Sequence, residues 1–183
     1  MIDHSKLLDL ELWSNEELIR KQNRLKLIFH ELLGELGNEF SNQTLQDLHF
    51  PSKGKKVTQG NDLIGLPYQV LDLIRDFDFD QGLNIRVLNW FGKGIYLFVL
   101  CGKEAFQDWD LKSLDFELCQ APSPWDYSEI IEKSSLKNEE LTYIQWFKEL
   151  PIDPETSNSL FLWKKEIESI LISAKAFLAK KEN

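Results

Sequence analysis

The sequence predicts an α+β fold, an antiparallel sheet with a central hairpin, flanked by long N- and C-terminal helices. Three observations carry that expectation. Apolar residues recur at helical spacing near both ends of the chain. Two β-rich runs lie on either side of Gly92-Lys93. The elements run helix, strands, helices, without the alternation that builds a parallel sheet. At 183 residues, one domain spanning 1–183 is expected. The composition is 43% hydrophobic and 28% charged with only 9 Gly and 6 Pro, which excludes a disordered chain.

The first helix is signalled by Ser14-Asn15-Glu16-Glu17, which has the S-x-x-E form of a capping box. Leu18, Leu25, Phe29, Leu32 and Leu36 then recur on one face, until Gly37 offers a stop. Between Phe40 and Leu66 the pattern breaks up around Pro51, Gly54, Gly60 and Gly65, so irregular chain is expected, with one short strand over 56–59. Residues 68–73 suit a strand after Pro67, although Val70, Leu71, Ile74 and Phe77 would also line a helix.

The hairpin is the clearest feature. Gly92 at the first central position of a two-residue reversal fits a type II′ turn between 83–91 and 95–101. Phe91 then faces Gly94, Trp90 faces Ile95, Leu88 faces Leu97, Arg86 faces Val99 and Asn84 faces Cys101. Arg86 is thereby expected on one sheet face with Leu88, Trp90, Leu97 and Val99. The second strand is apolar on both faces and reads as central.

A further, outer strand is signalled over 114–119, where Leu114, Phe116 and Leu118 alternate with Asp115 and Glu117. Ser123-Pro124 then reads as the start of a short helix. Asn138-Glu139-Glu140 opens another helix, with Leu141, Ile144, Phe147 and Leu150 as its stripe. The last helix starts near Asn158 and carries Leu160, Trp163, Ile167, Ile170, Ala174 and Phe177 at intervals of three and four.

Thirty acidic against 21 basic side chains give a formal charge of −9, which repels phosphate backbones and anionic bilayers, so neither nucleic acid nor membrane is an expected partner. The opening residues lack a basic start followed by an apolar stretch, and the apolar run from Ile95 to Cys101 is far shorter than a spanning helix. Cys101 and Cys119 both lie in apolar segments and read as reduced core thiols. A cytoplasmic location is the expectation.

No pattern in the chain names a reaction, a metal or a cofactor. Asp76, Asp78 and Asp80 alternate like the opening of a calcium loop, but Gly82 comes one place late and Val87 stands where the closing Glu belongs. A solvated acidic turn is the expected reading. His4, His30 and His49 are scattered, and neither cysteine has metal-ligand spacing. The basic stretch from Lys53 to Asn61 contains glycines that let backbone amides approach an anion, without phosphate-loop spacing. It is a lysine-rich surface loop, or else Lys55 or Lys56 meets a small anion.

Arg86 is the most informative residue, because a guanidinium on an apolar sheet face must reach solvent or meet a carboxylate. Asp72 is the expected partner. The pair is either internal and structural, or part of a ligand pocket lined by Tyr68, Asp72, Arg86 and Trp90. Trp90 and Trp163 fall on expected core faces, whereas Trp109 and Trp125 lie near loops and are candidates for exposed contacts.

The stretch from Lys56 to Asp72, with Gly60, Gly65, Pro67 and Tyr68 inside it, together with Ile85-Arg86 and Trp90-Phe91-Gly92, resembles a group of uncharacterised bacterial proteins. These share a K-x-x-x-G-x-x-x-x-G-x-P-Y-x-x-L-D stretch and an I-R…W-x-G hairpin. The likeness covers roughly residues 53–102. It implies that 67–72 and the hairpin share one sheet, and it brings no activity. Leu73-Ile74 stands where that group has Tyr-Pro.

Two functions remain in view. The first is a cytoplasmic, non-enzymatic binding or protein-interaction domain whose apolar helical stripes also suit a homodimer. The alternative is an enzyme or sensor of a small anionic metabolite, with Lys56 and Arg86 holding charge, Asp72 as orienter or base, and Tyr68 and Trp90 as walls.

Overall fold

Asn15, not Ser14, starts the long N-terminal helix. The computed structural model describes residues 7–119, 121, 123–127 and 142–181. A short helix α1 (Leu10–Ser14) is capped by Asp9 and ends at Asn15, whose side chain accepts from Leu18 N at 3.0 Å and opens α2 (Glu16–Asn38). Ser14 ends α1 instead, and its hydroxyl turns back to Glu11 O. Asn caps as well as Ser, so the shift costs α2 nothing. Gly37 does not stop α2. It makes room, because a Cβ there would lie 3.2 Å from Leu71 Cδ1.

Part of the stretch expected to be irregular is regular. Ser41 caps a helix α3 (Asn42–Leu48), and β1 (Lys56–Leu63) is longer than the 56–59 expected. Residues 66–75 form β2 (Leu66–Arg75), a strand and not a helix. Next come β3 (Leu83–Trp90) and β4 (Gly94–Gly102), a short helix α4 (Lys103–Phe106), and a two-residue strand β5 (Glu117–Leu118). The outer strand expected over 114–119 shrinks to β5, because Lys112–Leu114 is a 3-10 turn and Asp115 is left-handed at φ 61°. Strand β6 (Tyr143–Leu150) and helix α5 (Thr156–Lys181) complete the order.

The helix expected from Asn138 to Leu150 is a correction. Residues 138–141 lie outside the described residues, and 143–150 is strand β6. Leu150, Trp146 and Ile144 fall opposite Ile95, Val99 and Cys101, so an alternating pattern wins over the helical stripe. The short helix expected after Ser123-Pro124 lies largely outside the described residues. Ser123 Oγ accepts from Trp125 N.

The six strands lie in the order β1-β2-β3-β4-β6-β5, every pair antiparallel. The molecule is thus α+β, with its two long helices toward the ends of the chain. The β3–β4 register differs from the expected one by a single residue. Trp90 pairs with Gly94, Leu88 with Tyr96, Arg86 with Phe98, Asn84 with Leu100 and Leu83 with Cys101. The loop has three residues, with Gly92 at φ 82° and Lys93 N bonded to Trp90 O at 2.9 Å.

Phe91 leaves the ladder to meet Phe29 edge-on at 5.7 Å and to bond Pro67 O through its N–H. A one-residue slip exchanges every side chain between faces. Leu97 and Val99 therefore join Val87 and Ile85 on one face, while Arg86, Leu88 and Trp90 share the other with Tyr96 and Phe98.

These two faces carry two cores. The larger packs Leu32, Leu33 and Leu36 of α2, Leu45 of α3, and Trp163, Ile167, Ile170 and Ala174 of α5 on the sheet face that holds Leu71, Ile85, Val99 and Trp146. The smaller, on the opposite face, gathers Val70, Leu88, Trp90, Tyr96, Phe98 and Phe147 with Cys119, Ala121 and Tyr127. Trp163 is buried as expected. Trp109 is a correction: it is 4% exposed, donating to Ser173 Oγ at 3.0 Å and stacked near Phe177. Trp125 is 40% exposed. Among the described residues no helix is long and apolar enough to cross a membrane.

Candidate functional site

All five candidate ligand-binding residues lie on the smaller-core face. Direct pairing sets Lys56 across from Asp72, Asp72 across from Arg86 and Arg86 across from Phe98, while Tyr68 stands across from Trp90. Val70 and Leu88, opposite each other, separate the charged row from the aromatic one. The structure thus brings together Asp72 and Arg86 as one cluster, and Tyr68 and Trp90 as another.

The Arg86–Asp72 pair expected from the sequence is present. Nε donates to Asp72 Oδ1 at 2.7 Å and one terminal nitrogen to Oδ2 at 3.1 Å, the two-pronged geometry that makes such pairs strong. Asn84 Nδ2 donates to the same Oδ1 at 2.9 Å and to Ile74 O at 2.8 Å. The second terminal nitrogen of Arg86 donates to Tyr127 Oη at 2.7 Å. The rings of Trp125 and Phe77 approach the guanidinium at 5.0 and 5.7 Å. The Arg86 and Asp72 side chains are 13% and 5% exposed.

The electrostatics follow from this enclosure. Burial acts to lower the Arg86 pKa, but the Asp72 bonds and Tyr127 outweigh it and hold the guanidinium above its ordinary value. Burial pushes the Tyr127 hydroxyl up, against the pull of Arg86. The cluster is a charged pair locked inside an aromatic box.

Tyr127, Trp125 and Phe77 were not foreseen as Arg86 partners. A signal existed for them: a buried guanidinium has five N–H donors, and one carboxylate accepts only some of them. It does not say which residues supply the rest, since Tyr127 is 41 positions away in the chain.

The other candidates have structural occupations. Trp90 is 1% exposed and donates from Nε1 to Leu63 O at 3.1 Å. The Tyr68 ring lies over Gly60, where any Cβ would stand 2.4 Å from ring atom Cε1. Lys56 is exposed on β1. Lys55, the other lysine considered for an anion, donates to Gly37 O and Phe40 O at 2.8 and 2.7 Å, satisfying carbonyls at the end of α2.

The acidic run is a turn. Asp78 Oδ1 accepts from Asp80 N and Gln81 N, and those backbone donors, Gln81 foremost, hold its carboxyl below the ordinary range. His49 Nε2 lies 2.8 Å from Asp76 Oδ2. Among the described residues no three His, Cys, Asp or Glu side chains are placed to hold a metal ion. Cys101 and Cys119 are free and buried, and burial raises both thiols above their ordinary pKa.

A second surface has no counterpart in the core. Just before α1, along it and in the first half of α2, Leu8, Leu10, Leu12 and Trp13 are 82, 60, 53 and 76% exposed, and Leu18, Ile19 and Leu25 are 48, 41 and 45% exposed. The buried part of α2 begins only at Leu32. Gln69 Nε2 reaches Lys26 O at 2.8 Å, a sheet contact that holds the helix at this level, so the turns before Lys26 extend past it with their apolar side chains uncovered. Sequence periodicity named Leu18 and Leu25 of this surface as part of a stripe running to Leu36, but could not say where along it the sheet ends, and it did not reach the residues before Ser14.

Compared with models of known protein families, with curated proteins and with solved structures, the chain matches none.

Proposed function

We propose that the chain is a non-enzymatic protein-interaction domain that docks through α1 and the first half of α2. The uncovered apolar surface there carries the reading. The seven apolar residues from Leu8 to Leu25 are each 41–82% exposed, and apolar side chains left in water close together along the chain are what a protein-interaction surface presents. The rest of the fold supports the role of scaffold, because α2 is seated on the sheet by Leu32, Leu33 and Leu36, which leaves its first turns clear of the core.

The metabolite reading has less support. It needs Arg86 to offer donors to a ligand, and three of its five N–H groups already serve Asp72 and Tyr127. A cytoplasmic setting agrees with two buried, unbridged thiols.

The interaction reading is tested by placing a photo-crosslinking amino acid at Leu12 in the whole chain inside its native cell. A discrete polypeptide adduct is expected, lost when Leu18→Glu and Leu25→Glu are combined. No adduct to any polypeptide, the chain itself included, refutes the reading.

A further inference from the structure

We infer that α1 is a binding-coupled switch, a segment that folds and unfolds apart from the rest of the chain and is held as a helix when the interaction surface is engaged. The inference rests on the interaction reading above and adds the conformational step that accompanies docking. Its first support is isolation. Every residue from Leu7 to Leu25 is exposed, and α1 buries none of its five residues. Tertiary packing supplies most helical stability in proteins, and among the described residues it gives α1 nothing.

The second support is the break at Asn15. The exposed turns of α2 before Lys26 continue a helix already seated at Leu32, so each of their residues needs only propagation. Asn15, at φ −78° and ψ 78°, lies outside the helical region, and the run of helix stops there. α1 must therefore nucleate again on its own, at a statistical weight on the order of 10⁻³.

Against that cost the sequence sets a cap at each end. Asp9 accepts from Leu12 N at 2.8 Å, and the Asn15 N–H closes the last turn on Leu12 O at 3.2 Å. A capping side chain favours a helix by roughly fivefold, which narrows the deficit without removing it. The caps thus specify a helix that the chain's own core does not use. The side chains it arranges are Leu10, Leu12 and Trp13, all exposed. Apolar contact with a docked surface makes up the difference, so binding and the folding of α1 proceed together.

The first test is amide hydrogen exchange by NMR on the purified whole chain. The Trp13 and Asn15 N–H groups, bonded to Asp9 O and Leu12 O, should exchange within about tenfold of the unfolded rate, while Leu33 and Leu36 are protected more than about a thousandfold. Protection of Trp13 above about a hundredfold overturns the inference, since α1 then belongs to the stable fold.

The second test places the photo-crosslinking amino acid at Leu25 in the native cell and adds Ser14→Pro. Proline there removes an amide and forces Trp13 out of the helical region, while every apolar side chain stays in the chain. Adduct yield should fall by about fivefold or more, with the urea midpoint unchanged because α1 buries nothing. Asp9→Ala should lower the yield by a smaller factor, and Asp9→Ser should restore it. A yield that ignores Ser14→Pro overturns the inference and leaves the interaction reading standing. No adduct from Leu12 or Leu25 in the otherwise unaltered chain removes both.

Discussion

Arg86 joins three parts of the fold. Its bonds to Asp72 and Tyr127 tie β3 to β2 and to the segment that carries Trp125. Breaking a buried pair leaves an unpaired charge, so Arg86→Met should destabilise the fold by about 3–5 kcal/mol in urea unfolding. Adding Asp72→Leu to Arg86→Met should recover part of that loss, because no buried carboxylate is then stranded. A double variant no more stable than Arg86→Met would show that Asp72 is not the group left uncompensated. The Arg86–Asp72 half of this cluster was legible in the sequence because partners across neighbouring strands follow from strand order. The Tyr127 half was not, since no local pattern links residues so far apart.

At the scale of elements, the hairpin was legible and its register was not. Residues 95–101 are apolar on both faces, so neither register exposes a greasy side chain and alternation gives no vote. The deciding contact is the Phe91 ring on Phe29, which belongs to another element. For β6 the ambiguity is of a different kind: Ile144, Phe147 and Leu150 recur every three positions, while Tyr143, Gln145 and Phe147 alternate with Ile144 and Trp146. Pairing with β4 settles what periodicity alone leaves balanced.

Glycines give a test at this scale. A Cβ at Gly102, where β4 meets α4, would stand 2.4–2.5 Å from backbone atoms of Asp80 and Gln81, so Gly102→Ala should cost about 1–3 kcal/mol. Gly34, inside α2 with nothing within 4 Å, should respond the opposite way, gaining roughly 0.5–1 kcal/mol as alanine. Thermal unfolding of the two variants checks both signs.

For the whole molecule, the titrating groups enclosed by the fold point one way. Burial raises Cys101, Cys119, Tyr96, Tyr127 and Tyr143 above their ordinary values of 9.0 for thiols and 10.0 for phenols. The folded chain keeps protons that the unfolded chain releases, so their stabilising contribution is whole below about pH 9 and is lost as pH climbs through the raised folded values. Urea midpoints should be level from neutrality to about pH 8.5 and fall steadily above it. A midpoint that rises between pH 9 and 11 would contradict the enclosure of these groups. The α+β class itself was legible because it depends on element order and spacing, both of which are local.

The strand order bears on how the chain is made. Strands β1 to β4 form a meander of sequence neighbours and need nothing from later in the chain to pair. The free edge of β4, flanked by side chains that are greasy above and below, finds its partner only after everything from Gly102 to Tyr143 has left the ribosome. During that interval the nascent chain carries an open template for stray strands, and it is then that a holding chaperone would have most to protect.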